Sequence, residues 1–544
     1  AIALAAPAFG DGAAFRIVLD PALGTGPVGG RLIISVVRPD SKLGKGVDPN
    51  DGPFWEDQQP LFGIDIRELG ASTPLEVREA DYSSEPLSGL KPGEYRAAAR
   101  LITKRGSSSW RNDAGNLFSE AVAFSVTDGG GAGAMVDIRL SRETKERAWP
   151  TGDASHGAEL VEVRSALLSA FHGREVMLRA GIVKPAHFDP SADQKYAAIY
   201  EVPGFGGDHF GAIGDAARRG PESSRMAMGD AGRIDAAAFT IVLDPESPNG
   251  HTLFADSANN GPCGRALIEE LIPAIEGKFR LVAKPEARLL RGHSSGGWST
   301  VWLLLNYPET FGATWSTSPD PVDFRRLQTV DLYGQDSMYR MGGVASQATD
   351  QQLAYWQTVP GALVAAVGSD TGFLLGSYRR GGGNVMTIRQ ECRGEDVLGP
   401  DNTSGQQWDS WFAVWGPRDG RGRPTALFDP TTGAIDKAVA EQYRKYDIGA
   451  MLRGEPGKYG PLFRERVRLV VGDADNFFLN EAVALLKADL DRIGKDQPGG
   501  PGYVKIVPKL DHGTIFRSAE VRAFPGEMLA HLKANGLLPD SHKP

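Results

Sequence analysis

The chain has 544 residues, of which 41% are hydrophobic and 23% are charged, and its formal net charge is −9. This composition is typical of a folded globular protein, and the length allows more than one domain. Acidic and basic residues are interspersed without a basic stripe, so we expect no nucleic-acid partner. No apolar run reaches the ~18–20 residues that a membrane-spanning helix needs, so we expect no membrane span.

The first residues and the cysteines bear on the cellular compartment. The chain begins AIALAAPAFG without methionine, and such small residues are typical of the region around a signal-peptide cleavage site. We therefore expect a secreted or periplasmic protein whose signal peptide has been removed. Cys263 and Cys392 lie far apart in the sequence, and both one disulfide and two free thiols stay open.

Residues 1–127 have the pattern of an all-β domain. Short β-rich runs at 31–37, 93–103 and 120–126 are separated by turn sequences, and no ten-residue helical stripe lies among them. We predict an immunoglobulin-like β-sandwich here. The glycine-rich segment DGGGAGA follows, which predicts a linker over 128–134.

Residues 135–544 alternate between strand-like and helix-like segments. VEVRSALLSAF and REVMLRAGIV are predicted as early strands, and apolar runs such as RVRLVVGD then alternate with helical stretches such as NEAVALLKADLDRIG. This alternation predicts an α/β fold with a mostly parallel sheet covered on both faces. Residues 320–460 break the alternation, so we predict a large insertion over the carboxyl edge of the sheet.

The sequence GHSSG at 292–296 fits the motif G-x-S-x-G. A strand-like run precedes it and a helix-like run follows it, which is the setting of a nucleophilic serine on a sharp strand-to-helix turn. Ser294 holds the nucleophile position, and Ser295 follows it. Because the chain has 68 glycines, the motif alone also fits a plain glycine-rich turn.

A nucleophilic serine needs a base, which in this type of fold comes last in the chain, after an acid. Of the histidines after Ser294, His531 lies in a helical stretch, His542 lies in the polar tail, and His512 opens a loop after the strand-like run YVKIVPKL. A loop at the carboxyl end of a strand is the expected place for a catalytic base. We therefore predict His512 as the base.

The acid that orients this histidine is expected after an earlier strand. RVRLVVGDADNFFL offers Asp473 and Asp475. The spacing G-x-x-D favours Asp475 as the acid, with Asp473 as the alternative acid or as a residue that braces the turn. Capping of the helix that begins near Asn480 is a further possibility for either carboxylate.

Acyl transfer also needs N–H donors for the oxyanion. The position after the nucleophile predicts the backbone N–H of Ser295 as one donor, and the loop in IYEVPGFGGDHF predicts the backbone N–H of Phe205 as the other. A glycine-rich turn without a catalytic role is the alternative for this loop. His209 lies nearby as a candidate for substrate binding or as an ordinary loop residue.

Two further groups are candidates for substrate binding. Trp408 and Trp411 belong to the run WDSWFAVW, which predicts either a stacking platform for an aromatic or sugar-bearing substrate or the core of the insertion. Asn259 and Asn260 are polar loop residues near a strand end, and pocket lining and turn formation are both open for them.

Together these motifs resemble the esterase D group of α/β-hydrolases, which includes enterochelin-esterase-like and feruloyl-esterase-like proteins and mycolyltransferases. The resemblance rests on GHSSGG, ADSANNGP with ALIEELIPAIE, WSTSPDPVDF, GDADNFFL and DHGTIF, and it extends over about 230–520. It implies an α/β-hydrolase fold, a triad of Ser294, His512 and Asp475, and no metal or other cofactor. The chain departs from the group at the oxyanion loop, where Pro203-Gly204 replaces the usual His-Gly, and in its N-terminal domain and insertion.

The leading hypothesis is therefore a serine carboxylesterase that acts on a small-molecule or carbohydrate-linked ester through an acyl-enzyme intermediate. A serine peptidase stays open because the same elbow, the strand-to-helix turn of G-x-S-x-G, occurs in peptidases. An acyltransferase stays open because an acceptor alcohol competes with water for the same acyl-enzyme. A non-catalytic module that binds carbohydrate or protein is the remaining alternative.

Overall fold

The structure is a computed structural model with two compact units, Ala1–Arg147 with Ile388–Asp409 and Ala148–Thr387 with Ser410–Pro544. The first twelve residues, on which the expectation of a removed signal peptide rests, and the predicted linker 128–134 lie outside the described residues. In the part of the chain that is described, no helix is both long and apolar enough to cross a membrane. The described residues are 13–24, 26–44, 46–55, 57–127, 135–185, 188–219, 229–339, 366–367, 373–381, 383–494 and 499–538.

The first unit contains a single β-sheet. Its strands are β1 (Ala14–Leu19), β2 (Val28–Val37), β3 (Leu61–Leu69), β4 (Leu75–Val77), β5 (Tyr82–Ser83), β6 (Gly93–Ile102), β7 (Leu117–Ser119), β8 (Val122–Val126) and β9 (Met135–Glu143). They are joined in the order β4-β1-β9-β7-β6-β2-β3-β5, with β8 paired to β6. Only the pair of β1 and β9 is parallel among these described strands.

Alternation along β2 explains how this sheet makes its core. Leu32, Ile34 and Val36 face one side and join the main hydrophobic cluster of the unit, whereas Ile33 faces the other side and packs with Val397. The predicted all-β character is confirmed, and the immunoglobulin-like sandwich stays a prediction. The unit extends beyond the predicted end at residue 127, because β9 pairs with β1 and β7.

The second unit has a central sheet and several two-stranded ribbons. The strands are β10 (Glu159–Arg164), β11 (Met177–Val183), β12 (Ala197–Val202), β13 (Ala238–Leu243), β14 (Glu246–Ser247), β15 (Gly250–His251), β16 (Asp256–Ser257), β17 (Gly261–Pro262), β18 (Arg288–His293), β19 (Ala313–Thr317), β20 (Ala366–Val367), β21 (Phe373–Leu374), β22 (Gly376–Arg380), β23 (Gly383–Thr387), β24 (Val467–Gly472) and β25 (Tyr503–Val507).

The α-helices within the described residues follow in sequence order, with α7 in the first unit and α8 beginning there. They are α1 (Ala166–His172), α2 (Gly211–Arg219), α3 (Asp230–Ala237), α4 (Cys263–Ala266), α5 (Ile272–Phe279), α6 (Ser295–Asn306), α7 (Ile388–Leu398), α8 (Gln407–Trp415), α9 (Lys437–Tyr443), α10 (Ile448–Gly454), α11 (Pro456–Arg466), α12 (Leu479–Ile493) and α13 (Ala519–Ala534). A π-helical turn, Leu267–Leu271, joins α4 to α5.

The central sheet has the order β10-β11-β13-β12-β18-β19-β24-β25. The strands from β13 to β25 in this order are parallel to one another, whereas β10 and β11 form antiparallel pairs at one edge. The sheet is therefore mixed, and the predicted mostly parallel sheet is not confirmed. The apolar runs predicted the strands, but the antiparallel pairs of β10 with β11 and of β11 with β13 were not expected.

Two local predictions in this unit need correction. VEVRSALLSAF was expected to be a strand, but β10 ends at Arg164 and α1 begins at Ala166. Ser165 explains the change, because its side chain accepts a hydrogen bond from the Leu168 N–H at 3.0 Å and so caps the helix. β19, a strand of five buried residues beside β18, was not predicted from the sequence.

The predicted insertion at 320–460 is not one piece. Its segment Ile388–Asp409 belongs to the first unit, whereas the β22–β23 ribbon and helices α9 and α10 belong to the second. Residues 340–365 of the insertion lie outside the described residues. The site is positioned by the sheet, because β12, β18, β19, β24 and β25 are neighbouring parallel strands whose carboxyl ends meet at one edge.

Candidate active site

The turn between β18 and α6 places Ser294 in a strained backbone conformation. Its φ of 58° and ψ of −125° lie outside the common regions for a residue with a side chain. The Ser294 N–H donates to the Thr317 carbonyl at 3.0 Å, and its carbonyl accepts from the Trp298 N–H at 3.1 Å. These bonds fix the sharp turn that the G-x-S-x-G motif predicts.

Glycines on both sides of Ser294 are required by close packing. A Cβ atom on Gly292 would overlap the Gly296 carbonyl, and a Cβ on Gly296 would overlap the Val202 carbonyl. The motif therefore has a local physical cause, because a side chain at Gly292 would clash within the turn and one at Gly296 would push the turn away from β12.

Asp475 and His512 form a hydrogen-bonded pair in the loops after β24 and β25. The His512 Nδ1 atom lies 2.8 Å from the Asp475 Oδ2 atom. Asp475 is fully buried, and its Oδ1 atom accepts from the Phe477 N–H at 3.0 Å. The His512 N–H donates to the Asn476 Oδ1 atom at 3.1 Å, so both loops are joined by main-chain and side-chain contacts.

Asp475 and His512 each stabilise the charged form of the other. Burial opposes the charged form of Asp475, but the neighbouring His512 and the hydrogen bonds it accepts lower its pKa below the ordinary value. Burial likewise opposes a protonated His512, but the charge and hydrogen bond of Asp475, together with the charges of Asp320 and Asp511, raise the pKa of His512. This is the electrostatic relation expected of a carboxylate that stabilises an imidazolium.

Asp473, the alternative acid, has a different partner. Its Oδ1 atom accepts from the Lys509 N–H at 2.6 Å, and the residue is exposed. The structure therefore places Asp475, and not Asp473, against His512, while Asp473 braces the turn between the loops.

Arg379 in β22 binds the loop that carries Asp473 and Asp475, and it was not predicted from the sequence. Its Nε atom donates to the Asp475 carbonyl at 2.8 Å, and its Nη2 atom donates to the Asp473 carbonyl at 3.0 Å. The Asn476 Nδ2 atom donates to the Arg379 carbonyl at 2.8 Å. No sequence motif points to Arg379, because its contacts depend on how the ribbon folds against the sheet.

His512 lies beside the residue that precedes Ser294. The His512 and His293 ring centroids are 4.4 Å apart, and the Phe477 ring lies 4.9 Å from that of His512 on another side. Burial and the neighbouring His512 lower the pKa of His293 to about 3, so His293 is neutral at pH 7. The strand order and these contacts bring Ser294, Asp475 and His512 to the same edge of the sheet.

The loop after β12 lies against the elbow. A Cβ atom on Gly204 would lie 3.1 Å from the His293 carbonyl oxygen and 3.3 Å from the Ser294 Cβ atom. Gly204 begins a turn in which the Gly207 N–H donates to its carbonyl at 3.0 Å, and Phe205 is the second residue of this turn. Among the described residues, none accepts a hydrogen bond from the Phe205 N–H. Ser295 is the first residue of α6, at the helix end where N–H groups point outward.

Three of the residues predicted to bind substrate contact other residues of the protein. His209 is buried, its Nδ1 atom lies 2.9 Å from Asp244, and its ring stacks on Trp149. The Asn259 Nδ2 atom donates to carbonyls at the end of α8, and the Asn260 Oδ1 atom accepts from Asn249. These contacts fit packing and turn formation, and substrate binding by the three side chains stays a prediction.

The two tryptophans are both buried. Trp408 belongs to the first unit, and its Nε1 atom donates to Glu391 at 3.0 Å. Trp411 belongs to the second unit and stacks on Trp415 with ring centroids 5.4 Å apart. The core alternative therefore fits both residues, and we do not carry either forward as a substrate contact.

A cavity of about 420 Å³ adjoins the elbow. Gly204 and His293 form the wall that it shares with the elbow. The rest is lined by charged side chains and by apolar side chains of β12, β19 and α13. The charged residues are Glu201, Asp215, Arg218, Arg219, Asp235 and Arg291, and the apolar ones include Val202, Trp315, Phe516, Val521, Phe524 and Met528. The cavity thus offers space for an amphipathic group beside Gly204 and His293, the residue that precedes Ser294.

Two further sequence questions are answered in part by the structure. Cys263 and Cys392 are both buried free thiols, so the disulfide alternative is not the one observed. Within the described ranges, no group of three or more His, Cys, Asp or Glu side chains is placed to hold a metal ion.

A family model covers the part of the chain that carries the elbow. The model, Esterase, described as "Putative esterase", matches residues 181–415. Residues 181–415 are therefore similar to the Esterase family. It contains Ser294 and the loop after β12, whereas Asp475 and His512 follow it in the chain. The match supports the predicted α/β-hydrolase-type fold and a hydrolase that acts on esters.

Several solved structures also resemble this chain. They include a ferulic acid esterase (13% identity, TM-score 0.37), an S-formylglutathione hydrolase from Agrobacterium tumefaciens (12%, 0.34) and the fluorophosphonate-binding serine hydrolase F of Staphylococcus aureus (12%, 0.34). Each comparison covers 69% of this chain, and 98%, 94% and 98% of those chains in that order. No curated protein matches the chain significantly.

Proposed function

We propose that this protein is a serine carboxylesterase in which Ser294 is the nucleophile, His512 the general base and Asp475 the residue that orients the base. One observation carries the proposal: a serine at a strained strand-to-helix turn shares a sheet edge with a hydrogen-bonded histidine–aspartate pair. A serine hydroxyl becomes a useful nucleophile when a neighbouring base can take its proton.

The tautomer of His512 decides which ring nitrogen can accept the Ser294 proton. Because the Nδ1 atom faces the Asp475 carboxylate, it carries the proton, and the Nε2 atom is left to accept one. Ser294 Oγ attacks the ester carbonyl carbon as His512 takes the hydroxyl proton. The carbonyl π electrons move to oxygen, and the resulting oxyanion accepts hydrogen bonds from the N–H groups of Ser295 and Phe205.

Collapse of this intermediate breaks the bond to the alcohol oxygen, and His512 returns its proton to the leaving alcohol. Water then attacks the acyl-enzyme while His512 again accepts a proton. The second intermediate collapses to the carboxylic acid and restores the Ser294 hydroxyl. Asp475 stays ionised throughout, which its lowered pKa favours.

We further propose that part of the substrate enters the cavity beside Gly204 and His293. The volume of about 420 Å³ is in the range of small-molecule sites. Its mixture of apolar and charged walls suits an acyl or alcohol group that is apolar near the ester bond and polar at its far end.

The proposal is tested by hydrolysis of p-nitrophenyl acetate and butyrate by wild type and Ser294→Ala. We expect hydrolysis by wild type and a loss of at least about 10⁴-fold in kcat/KM for the variant. Ser299→Ala is the matched control, since it removes a buried hydroxyl one turn further along α6 and should keep activity within about threefold. Equal rates for Ser294→Ala and wild type would sink the proposal, and faster cleavage of peptide anilides than of esters would favour a peptidase.

A further inference from the structure

A second buried carboxylate contacts the elbow from beneath. Asp320 is 2% exposed. Its Oδ2 atom accepts a hydrogen bond from the Ser295 Oγ atom at 2.8 Å and another from the Trp411 Nε1 atom at 2.8 Å. Its N–H donates to the Ser294 carbonyl at 3.2 Å. Asp320 therefore contacts both the proposed nucleophile and the residue that follows it.

The backbone around Asp320 is fixed by the sheet. It follows β19, whose last residue, Thr317, accepts the Ser294 N–H. Ser318 has a φ of 39°, and its N–H donates to the Val470 carbonyl in β24 at 2.8 Å. A positive φ at a residue with a side chain persists only where neighbouring contacts enforce it. The contacts from β18 and β24 hold Asp320 at a set position under Ser295.

The charge of Asp320 is also relevant to the base. Burial raises the pKa of Asp320 to about 6, although the hydrogen bonds from Trp411 and Ser295 oppose this. The carboxylate is therefore mostly ionised at pH 7–8 and helps Asp475 to favour the protonated form of His512. Among the described residues, the other charged or titratable groups near His512 and Asp475 are Asp511, His293 and Arg379.

If residue 320 only held the turn in place, an aspartate would not be required. An asparagine has nearly the same shape and keeps one acceptor oxygen for Ser295, without the cost of burying a charge. What a carboxylate adds is its negative charge beside the elbow and a strong acceptor for two donors at once.

We propose that Asp320 is a positioning residue, a proposal that rests on the proposed function. Asp320 fixes Ser295 so that the Ser295 backbone N–H points at the oxyanion. The charge of Asp320 also stabilises the protonated imidazole of His512. The effect on Ser295 acts through its hydrogen bond to Asp320. The effect on His512 acts through the electrostatic field of the Asp320 carboxylate. The two parts can therefore be separated by different substitutions.

The geometric part is tested by a double-mutant cycle of Asp320→Ala and Ser295→Ala, which leaves the Ser295 N–H in place. We expect each single variant to lower kcat for p-nitrophenyl acetate about 10–100-fold with KM changed less than threefold, since one oxyanion donor is worth about 10²–10³-fold in other enzymes. We expect the double variant to be no slower than Asp320→Ala alone. Multiplied losses, or a loss in KM only, would overturn the coupling through Ser295.

The electrostatic part is tested by Asp320→Asn. We expect kcat at the alkaline plateau to stay within about fivefold of wild type, while the acid limb of kcat/KM moves to lower pH. NMR titration of ¹³Cε1-labelled histidine, with the His512 signal assigned by His512→Gln, should show a lower pKa for His512 in Asp320→Asn. An unchanged His512 pKa would overturn this part.

The two readouts separate this proposal from the proposed function. The NMR titration needs no catalysis, so it decides whether Asp320 acts on His512 even if wild type fails to hydrolyse esters. If wild type hydrolyses esters through Ser294 but Asp320→Ala keeps wild-type kcat, the proposed function stands and the positioning role falls.

Discussion

His512 and Asp475 are joined by a hydrogen bond of 2.8 Å between Nδ1 and Oδ2, which links the loops after β25 and β24. A second hydrogen bond, from the His512 N–H to the Asn476 side chain 36 residues earlier, links the same two loops. Asp473, two residues before Asp475, instead accepts the Lys509 N–H. Two carboxylates of one short loop thus have separate tasks, because the turn after β24 directs one inward and the other toward the main chain.

This separation predicts different effects of the same substitution. We expect Asp475→Asn to lower kcat/KM about 10²–10⁴-fold, because an amide can impose the wrong tautomer on His512 and removes the stabilising charge. Asp473→Asn is the matched control and should stay within about fivefold, since an amide oxygen still accepts the Lys509 N–H. Steady-state kinetics on p-nitrophenyl butyrate measure both variants. A greater loss in Asp473→Asn would reverse the assignment of the acid.

The pH dependence follows from the raised pKa of His512. A protonated imidazole cannot take the Ser294 proton, so activity falls as the pH drops through the pKa of the histidine in the folded protein. We expect the acid limb of kcat/KM to have its midpoint above 6.5, the ordinary value for histidine. In Asp475→Asn the limb should move to lower pH, because burial then acts without the opposing carboxylate. A wild-type midpoint well below 6.5 would contradict this account.

The close packing of the elbow predicts a glycine-specific loss of stability. Gly296→Ala would drive a Cβ atom into the Val202 carbonyl, and we expect it to lower the free energy of unfolding of the second unit by about 2 kcal/mol or more. Gly457→Ala is the control, because a Cβ there meets nothing within 4 Å and the helical position should gain slightly. Thermal unfolding compares the two. Equal unfolding midpoints would show that β12 and the elbow are not packed as described.

The cavity predicts selectivity that depends on substrate size. Val521→Trp adds bulk to its wall, and we expect KM for p-nitrophenyl hexanoate to rise about tenfold while KM for the acetate changes little. Arg522→Trp places the same ring on the exposed neighbouring position outside the cavity and should leave both KM values unchanged. If both variants raise KM for both esters alike, the cavity does not receive the acyl chain.

The sequence predicted those parts of the site that depend on local pattern. Ser294 could be placed because G-x-S-x-G between a strand and a helix has a steric cause, and His512 because a loop after the last strand is where the base of such a fold lies. Asp475 was the preferred acid, and the observed contact with His512 agrees with that preference. Its catalytic role stays a proposal.

The parts that could not be predicted depend on tertiary contacts. Asp320 stood in a recognisable motif, but only the path of the chain after β19 places it under Ser295. Arg379 has no motif at all. The run that contains Trp408 and Trp411 was ambiguous, because aromatic clustering is the same for an open platform and for a core, and burial decides between them.

The most direct test of the central claim is peptide mass spectrometry after reaction of the protein with a fluorophosphonate probe. We expect a single phosphonate adduct on Ser294, no adduct in Ser294→Ala, and labelling slowed by orders of magnitude in His512→Gln. An adduct on another residue, or undiminished labelling of Ser294→Ala, would contradict the account.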